Sequence, residues 1–278
     1  MSKHQYLRFA LLGLCWLSVF ALSGQRNMKM WNKLIWSDEF DGNGLPDSSK
    51  WNYDLGDGCP QNCGWGNNEL QYYTANDTLN ARQKDGMLII EARSTGKPDR
   101  PYTSARLVSR GKASWPSGYL EARIKLPKGK GVWPAFWMLP EEWKYGGWPA
   151  SGEIDIMEFV GYTPDSIYGT LHCQDFNHIN GTQVGKAMYV PDLGDAFHVY
   201  GMYWDNDVMY FYLDGRPYLK FINHKKGYTS WPFDQNFYAI FNLAVGGNWG
   251  GKKGVDTSIW PQKMYVDYIR VYQTIKEQ

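Results

Sequence analysis

The stretch Glu153-Ile154-Asp155-Ile156-Met157-Glu158 interleaves three carboxylates with apolar residues. In a β-strand successive side chains alternate between faces, so Glu153 and Asp155 point one way and Ile154 and Ile156 the other. Glu158 comes five positions after Glu153, which in a regular strand would put it on the apolar face. One extra residue, a β-bulge at Ile156 or Met157, returns Glu158 to the acidic face and lets Phe159 turn to the core. Bulges are over-represented beside active sites, where they re-aim a side chain. Three acids along one face repel one another, so the pattern points to carboxylates kept for chemistry. A pair working across a glycosidic bond suits it. A solvated edge strand and a hard-cation site such as calcium are the alternatives.

Outward from this segment, period-two alternation dominates. Leu120, Ala122, Ile124 and Leu126 alternate with Glu121, Arg123 and Lys125, the pattern of a half-buried strand. Similar runs occupy 87–93, 105–110, 199–204, 208–213, 237–245 and 264–272. Turn residues separate them, among them Asp85-Gly86 and Asp214-Gly215. No amphipathic helix longer than about three turns is found. The expected fold is all-β: a jelly-roll sandwich of two curved antiparallel sheets, concanavalin A-like, with the acidic strand central in a concave face. Trp- and Gly-rich loops at 65–68, 131–134, 147–149 and 246–249 would wall an open groove. An open groove admits the middle of a polymer and favours endo-action.

Composition narrows the partners. Lys3, His4 and Arg8 precede a nearly unbroken apolar run, Phe9 to Leu22, and small residues follow at Ala21, Ser23 and Gly24. Residues 1–24 therefore read as a signal peptide and 25–278 as a single catalytic jelly-roll domain. The expected location is secreted or periplasmic, with no membrane contact after cleavage and a monomer as the default. Net charge is +1, from 29 basic and 28 acidic residues, and no long basic run argues for nucleic acid. Fourteen Trp and twenty Tyr stand out; Trp offers sugar rings a flat apolar surface and a polar N–H. Export makes a Cys59–Cys63 disulfide the expected bridge, with Cys173 left as a buried thiol. His172 and His178 have no partner at recognised zinc-ligand spacing, so no catalytic metal or other cofactor is expected.

Retaining glycoside hydrolysis needs two carboxyl groups about 5–5.5 Å apart. Glu153 is assigned as nucleophile and Glu158 as acid/base, with Asp155 orienting Glu153. Close negative charges cannot all stay ionised cheaply, so one proton is held near neutral pH, and Glu158 is its expected carrier.

The segment Gly152–Glu158 resembles the bulged Glu-x-Asp-x-x-Glu signature of glycoside hydrolase family 16. Supporting segments lie at 36–40, 67–73, 102–106, 133–140, 169–172 and 266–272. Together they resemble the laminarinase branch, the endo-1,3-β-glucanases. The resemblance implies a β-jelly roll, a retaining mechanism and cleavage of β-1,3 or mixed β-1,3/1,4 glucans, with no cofactor in catalysis. It also implies sugar contacts at Asn68, Arg106, Trp133, Trp137, Trp148 and His172. Trp249 joins them on its Gly-rich loop setting. For Trp137 core packing, for His172 a buried structural role, and for Arg106 pairing with an acid remain open readings. A structural calcium is implied at Glu39, Gly86 through its carbonyl, and Asp267. Rival substrates are lichenan, agarose and other galactans; a non-catalytic β-glucan-recognition protein is the rival of another class.

Overall fold

The computed structural model describes residues 33–273; the expected signal peptide lies outside the described residues. The first strands are β1 (Lys33–Asp38), β2 (Asn52–Asp54), β3 (Gln71–Tyr73), β4 (Ala81–Lys84), β5 (Met87–Lys97) and β6 (Arg100–Ser104). β7 (Arg106–Val108), β8 (Gly118–Lys125), β9 (Val132–Pro140), β10 (Glu153–Phe159), β11 (Ser166–His172) and β12 (Val184–Tyr189) follow. The last are β13 (His198–Trp204), β14 (Val208–Leu213), β15 (Arg216–Ile222), β16 (Phe237–Val245) and β17 (Gln262–Gln273).

These strands form the two sheets of a jelly roll. One runs β15-β14-β13-β8-β17-β5-β6-β3, with β1 also on β17 and β4 on β5. The other runs β12-β11-β10-β9-β16-β7-β2 and places the acidic strand β10 in its interior. Pairing is antiparallel except between β3 and β6. The turn residues act as expected: Asp85-Gly86 and Asp214-Gly215 both take positive φ, the geometry of two-residue hairpins.

The core lies between the sheets. From β8 come Leu120, Ala122 and Ile124, joined by Leu126, while Glu121, Arg123 and Lys125 stay half-buried on the outer face. β10 answers with Ile154, Ile156, Met157 and Phe159, each at most 2 % exposed. Full burial of such side chains stabilises the fold by about 1.5–3 kcal/mol apiece.

Ile156 and Met157 are neighbours in sequence, yet both enter the core. Regular alternation forbids that, and the register shows why it happens. Against β9, Asp155 pairs with Trp137 and Met157 with Phe136, so Ile156 is the extra residue. Against β11, Asp155 pairs with Thr170 and Glu158 with Tyr168. The bulge leaves ladder groups without strand partners. Tyr218 of β15, reaching across from the opposite sheet, donates its hydroxyl to the Ile156 carbonyl at 3.3 Å. Gly169 of β11 makes that reach possible, because a Cβ there would collide with the Tyr218 hydroxyl.

Candidate active site

With the bulge in place, the acidic face of β10 forms the floor of a groove of about 550 Å³. Glu153 and Asp155 line it. Glu158 is turned to the same side: its Oε1 accepts the indole N–H of the groove residue Trp133 at 3.2 Å. Glu153 has a matching donor, Trp148 Nε1, 3.1 Å from its Oε2. Each glutamate is therefore fixed by one tryptophan N–H.

Strand β9 supplies a wall by simple alternation. Trp133, Ala135 and Trp137 face the groove, and Phe136 and Met138 face the core. Trp137 thus belongs to the groove; its place was hidden because both faces of this strand are apolar. Its indole N–H donates to Asn242 Oδ1 at 2.7 Å, and Asn242 donates in turn to the Tyr73 hydroxyl at 2.9 Å. Arg106 pairs with Asp54 at 2.8 Å. Its guanidinium sits 4.6 Å from the Trp65 ring and 4.7 Å from the Trp137 ring. It lines the groove as a buried cation held by two aromatic rings and one acid.

His172 lies opposite Glu153 in the β10–β11 register. Its Nε2 stands 3.3 Å from Asp155 Oδ2 and 3.7 Å from Glu153 Oε1. The two remaining expected sugar contacts, Asn68 and Trp249, have side-chain partners of their own. Asn68 donates to Asn248 Oδ1 at 2.8 Å, tying two loops together. Trp249 meets Trp133 and Tyr168 edge-on, at 5.6 and 4.9 Å, and Tyr168 is the register partner of Glu158. Both sit in loops, whose cross-chain partners leave no local mark in sequence.

The groove also holds residues the motif reading passed over. Glu69 is a fourth lining acid, bonded by Gln71 and Asn67 at 2.6 and 3.3 Å. Its sequence mark was a carboxylate amid amides in 67–71. Asn242 was marked by being polar inside an otherwise apolar strand. His178 and Ile179 reach the groove from the loop after β11, with the His178 ring 5.0 Å from Trp148. Cys59 and Cys63 form a disulfide, Cα–Cα 4.1 Å, at the base of the loop carrying Trp65. Cys173 is free and buried.

Burial dominates the electrostatics. It pushes Glu153 up to about 8, helped by the charge of Asp155 and opposed by His172, Arg106 and the Trp148 N–H. Asp155 and Glu158 are raised well above ordinary carboxylates, Asp155 by burial, and Glu158 by burial and by the charges of Asp155 and Glu153. Glu158 has no cation to pull the other way, only the Trp133 N–H. The shared proton therefore rests toward Glu158, and Glu153 ionises first. Burial lowers the pKa of His172, against the charge of Glu153, which raises it.

The suggested calcium positions lie apart from this chemistry. Asp38 pairs with Ile269, and Leu88 with Val266, so Glu39 and Gly86 both abut the Asp267 stretch of β17. The carboxylates there are engaged, Glu39 by Arg270 at 2.7 and 3.0 Å and Asp267 by Arg123. A calcium would draw on backbone carbonyls, which are suitable hard donors, or displace an arginine.

Residues 60–270 match the family described as glycosyl hydrolases family 16. The chain is 43% identical to a glucan endo-1,3-beta-glucosidase of Cryptopygus antarcticus, over 85% of this chain and 90% of that protein. Among solved structures, the laminarinase from Rhodothermus marinus superposes with a TM-score of 0.84 at 49% identity, covering 88% of this chain and 98% of that one. SCLam, a non-specific endo-beta-1,3(4)-glucanase, gives 0.80 at 46% identity, covering 87% and 91%. A bulged strand carrying one buried and two half-buried acids, set among tryptophans, in a chain matched over most of its length, leads to one assignment: the chain belongs to glycosyl hydrolase family 16.

Proposed function

We propose that this protein is a retaining, endo-acting glycosidase that cleaves β-1,3 and mixed β-1,3/1,4 glucans such as laminarin. The observation that carries the proposal is the bulge that turns Glu158 to the face of Glu153 and Asp155, inside a groove walled by Trp133, Trp137 and Trp148. In the first step the Glu153 carboxylate bonds to the anomeric carbon while the glycosidic C–O bond breaks, and Glu158 gives its proton to the departing oxygen. Formation of the ester removes the Glu153 charge, so the pKa of Glu158 falls and it becomes a base. Water then attacks the anomeric carbon, Glu158 takes its proton, and Glu153 leaves as carboxylate. Asp155 holds the orientation of Glu153. The tryptophans offer flat apolar surfaces to sugar rings.

Incubation with laminarin, lichenan, agarose and xyloglucan, followed by identification of released oligosaccharides, tests substrate class. Glu153→Ala should abolish hydrolysis while laminarin binding survives; loss of both in a folded variant would overturn the role of Glu153. NMR should show the β-anomer as the first product, and an initial α-anomer would contradict retention.

Export is part of the same proposal, supported by the basic-then-apolar segment in 1–24 and by the Cys59–Cys63 bridge, which suits an oxidising compartment. N-terminal sequencing of the mature protein checks it. A calcium at Glu39, Gly86 and Asp267 is proposed on the convergence of those positions, and a melting temperature indifferent to chelator would remove it.

A further inference from the structure

The groove floor contains a donor set beyond what glycoside hydrolysis requires. Glu153 and His172 are register partners on adjacent strands, so their side chains leave the sheet on one face. Nearest donor atoms of Glu153, Asp155 and His172 all lie within 4.8 Å of one another. Two ligands each about 2.0–2.1 Å from a tetrahedral zinc stand about 3.3–3.4 Å apart. His172 Nε2 is 3.3 Å from Asp155 Oδ2, that same edge, and 3.7 Å from Glu153 Oε1, a small rotation away. A second observation points to a ligand. Asp155 is only 3 % exposed, yet its Oδ2 makes no well-formed hydrogen bond and has only the His172 Nε2 contact beside it, a costly state that a coordinating cation relieves.

We infer that Glu153, Asp155 and His172 form a three-ligand site for a zinc-class divalent cation, and that its occupation blocks glucan cleavage. The imidazole nitrogen selects the class: calcium and magnesium take oxygen donors, whereas zinc and copper accept a neutral imidazole beside carboxylates. With three protein donors the fourth position remains for water or a sugar hydroxyl. A Glu153 oxygen engaged by the cation no longer attacks the anomeric carbon, so inhibition competes with glucan. The inhibitory half rests on the proposed function; the binding half does not.

Glu158→Gln lies outside the donor set and provides a background without turnover. Titration of this variant with zinc chloride in a calorimeter should show one saturable equivalent, reversed by EDTA. Adding His172→Gln should weaken binding at least tenfold, and Asp155→Asn serves if the histidine variant does not fold. In the active enzyme, zinc should raise the apparent KM for laminarin with kcat preserved, and EDTA should restore the starting value. No saturable binding to folded Glu158→Gln, or equal binding after loss of His172, overturns the site whatever the enzyme cleaves. Tight binding with unchanged laminarin kinetics overturns the inhibitory role alone.

Discussion

Glu153 and Glu158 are the same residue in unlike surroundings. Glu153 faces His172 and Arg106 and is held by the Trp148 N–H, all of which favour its charged form against burial. Glu158 faces Asp155, Glu153 and Glu69, with the Trp133 N–H alone favouring charge. Activity needs Glu153 ionised and Glu158 protonated, so the rate should fall in acid as Glu153 takes up a proton. Because Glu153 is raised toward about 8, the acid limb of kcat/KM should lie well above the 4.5 of an ordinary glutamate. Trp148→Phe removes a donor to the charged form and should move that limb to still higher pH. An unmoved limb would show that the indole N–H does not hold Glu153 in the working enzyme. The sequence suggested this ordering from the assigned roles, but not its physical cause. The three acids were visible as a spacing, but what differentiates them comes from Arg106, His172 and two tryptophans on other segments.

At the scale of the strand, most of β10 could be read from its own residues. A step of five positions from one glutamate to the next, with Ile154 and Phe159 claiming the core, leaves room for one extra residue, and that residue is Ile156. What maintains the bulge was not legible: Tyr218 lies 62 residues away on the opposite sheet, and nothing in its neighbourhood marks it. The Glu153–His172 pairing was hidden for the same reason, since cross-strand register is set by tertiary structure. The role of Tyr218 can be measured. Tyr218→Phe keeps the ring and removes the bond to the Ile156 carbonyl, at a cost of about 1 kcal/mol in stability. A small displacement of a reacting group is felt strongly in rate, so kcat should fall by about tenfold or more while KM for laminarin holds. A purely structural role would lower the melting temperature and leave kcat intact.

For the whole molecule, the groove is a stability debt with a definite pH signature. Glu153, Asp155 and Glu158 all have raised pKa values in the folded state, with burial the first cause of each. Between the ordinary carboxylate value of 4.5 and about 8, the folded chain therefore binds more protons than the unfolded chain at Glu153. Stability falls with pH wherever the folded state holds the extra proton. The contribution is fully present below 4.5 and is lost as pH rises through about 8. A tenfold weaker acid reflects about 1.4 kcal/mol against its charged form, so the loss at alkaline pH is on the order of a few kcal/mol. Glu153→Gln keeps the shape and abolishes the charge. It should melt several degrees above the parent at pH 8, taking about 2–4 °C per kcal/mol for a domain of this size, and the gap should close toward pH 4.5. Parallel melting curves across that range would mean that the Glu153 carboxylate is solvated in the free enzyme and that burial does not set its protonation. Convergence at low pH would instead show that the core and the strand ladders hold the fold against an unfavourable charge kept for the reaction.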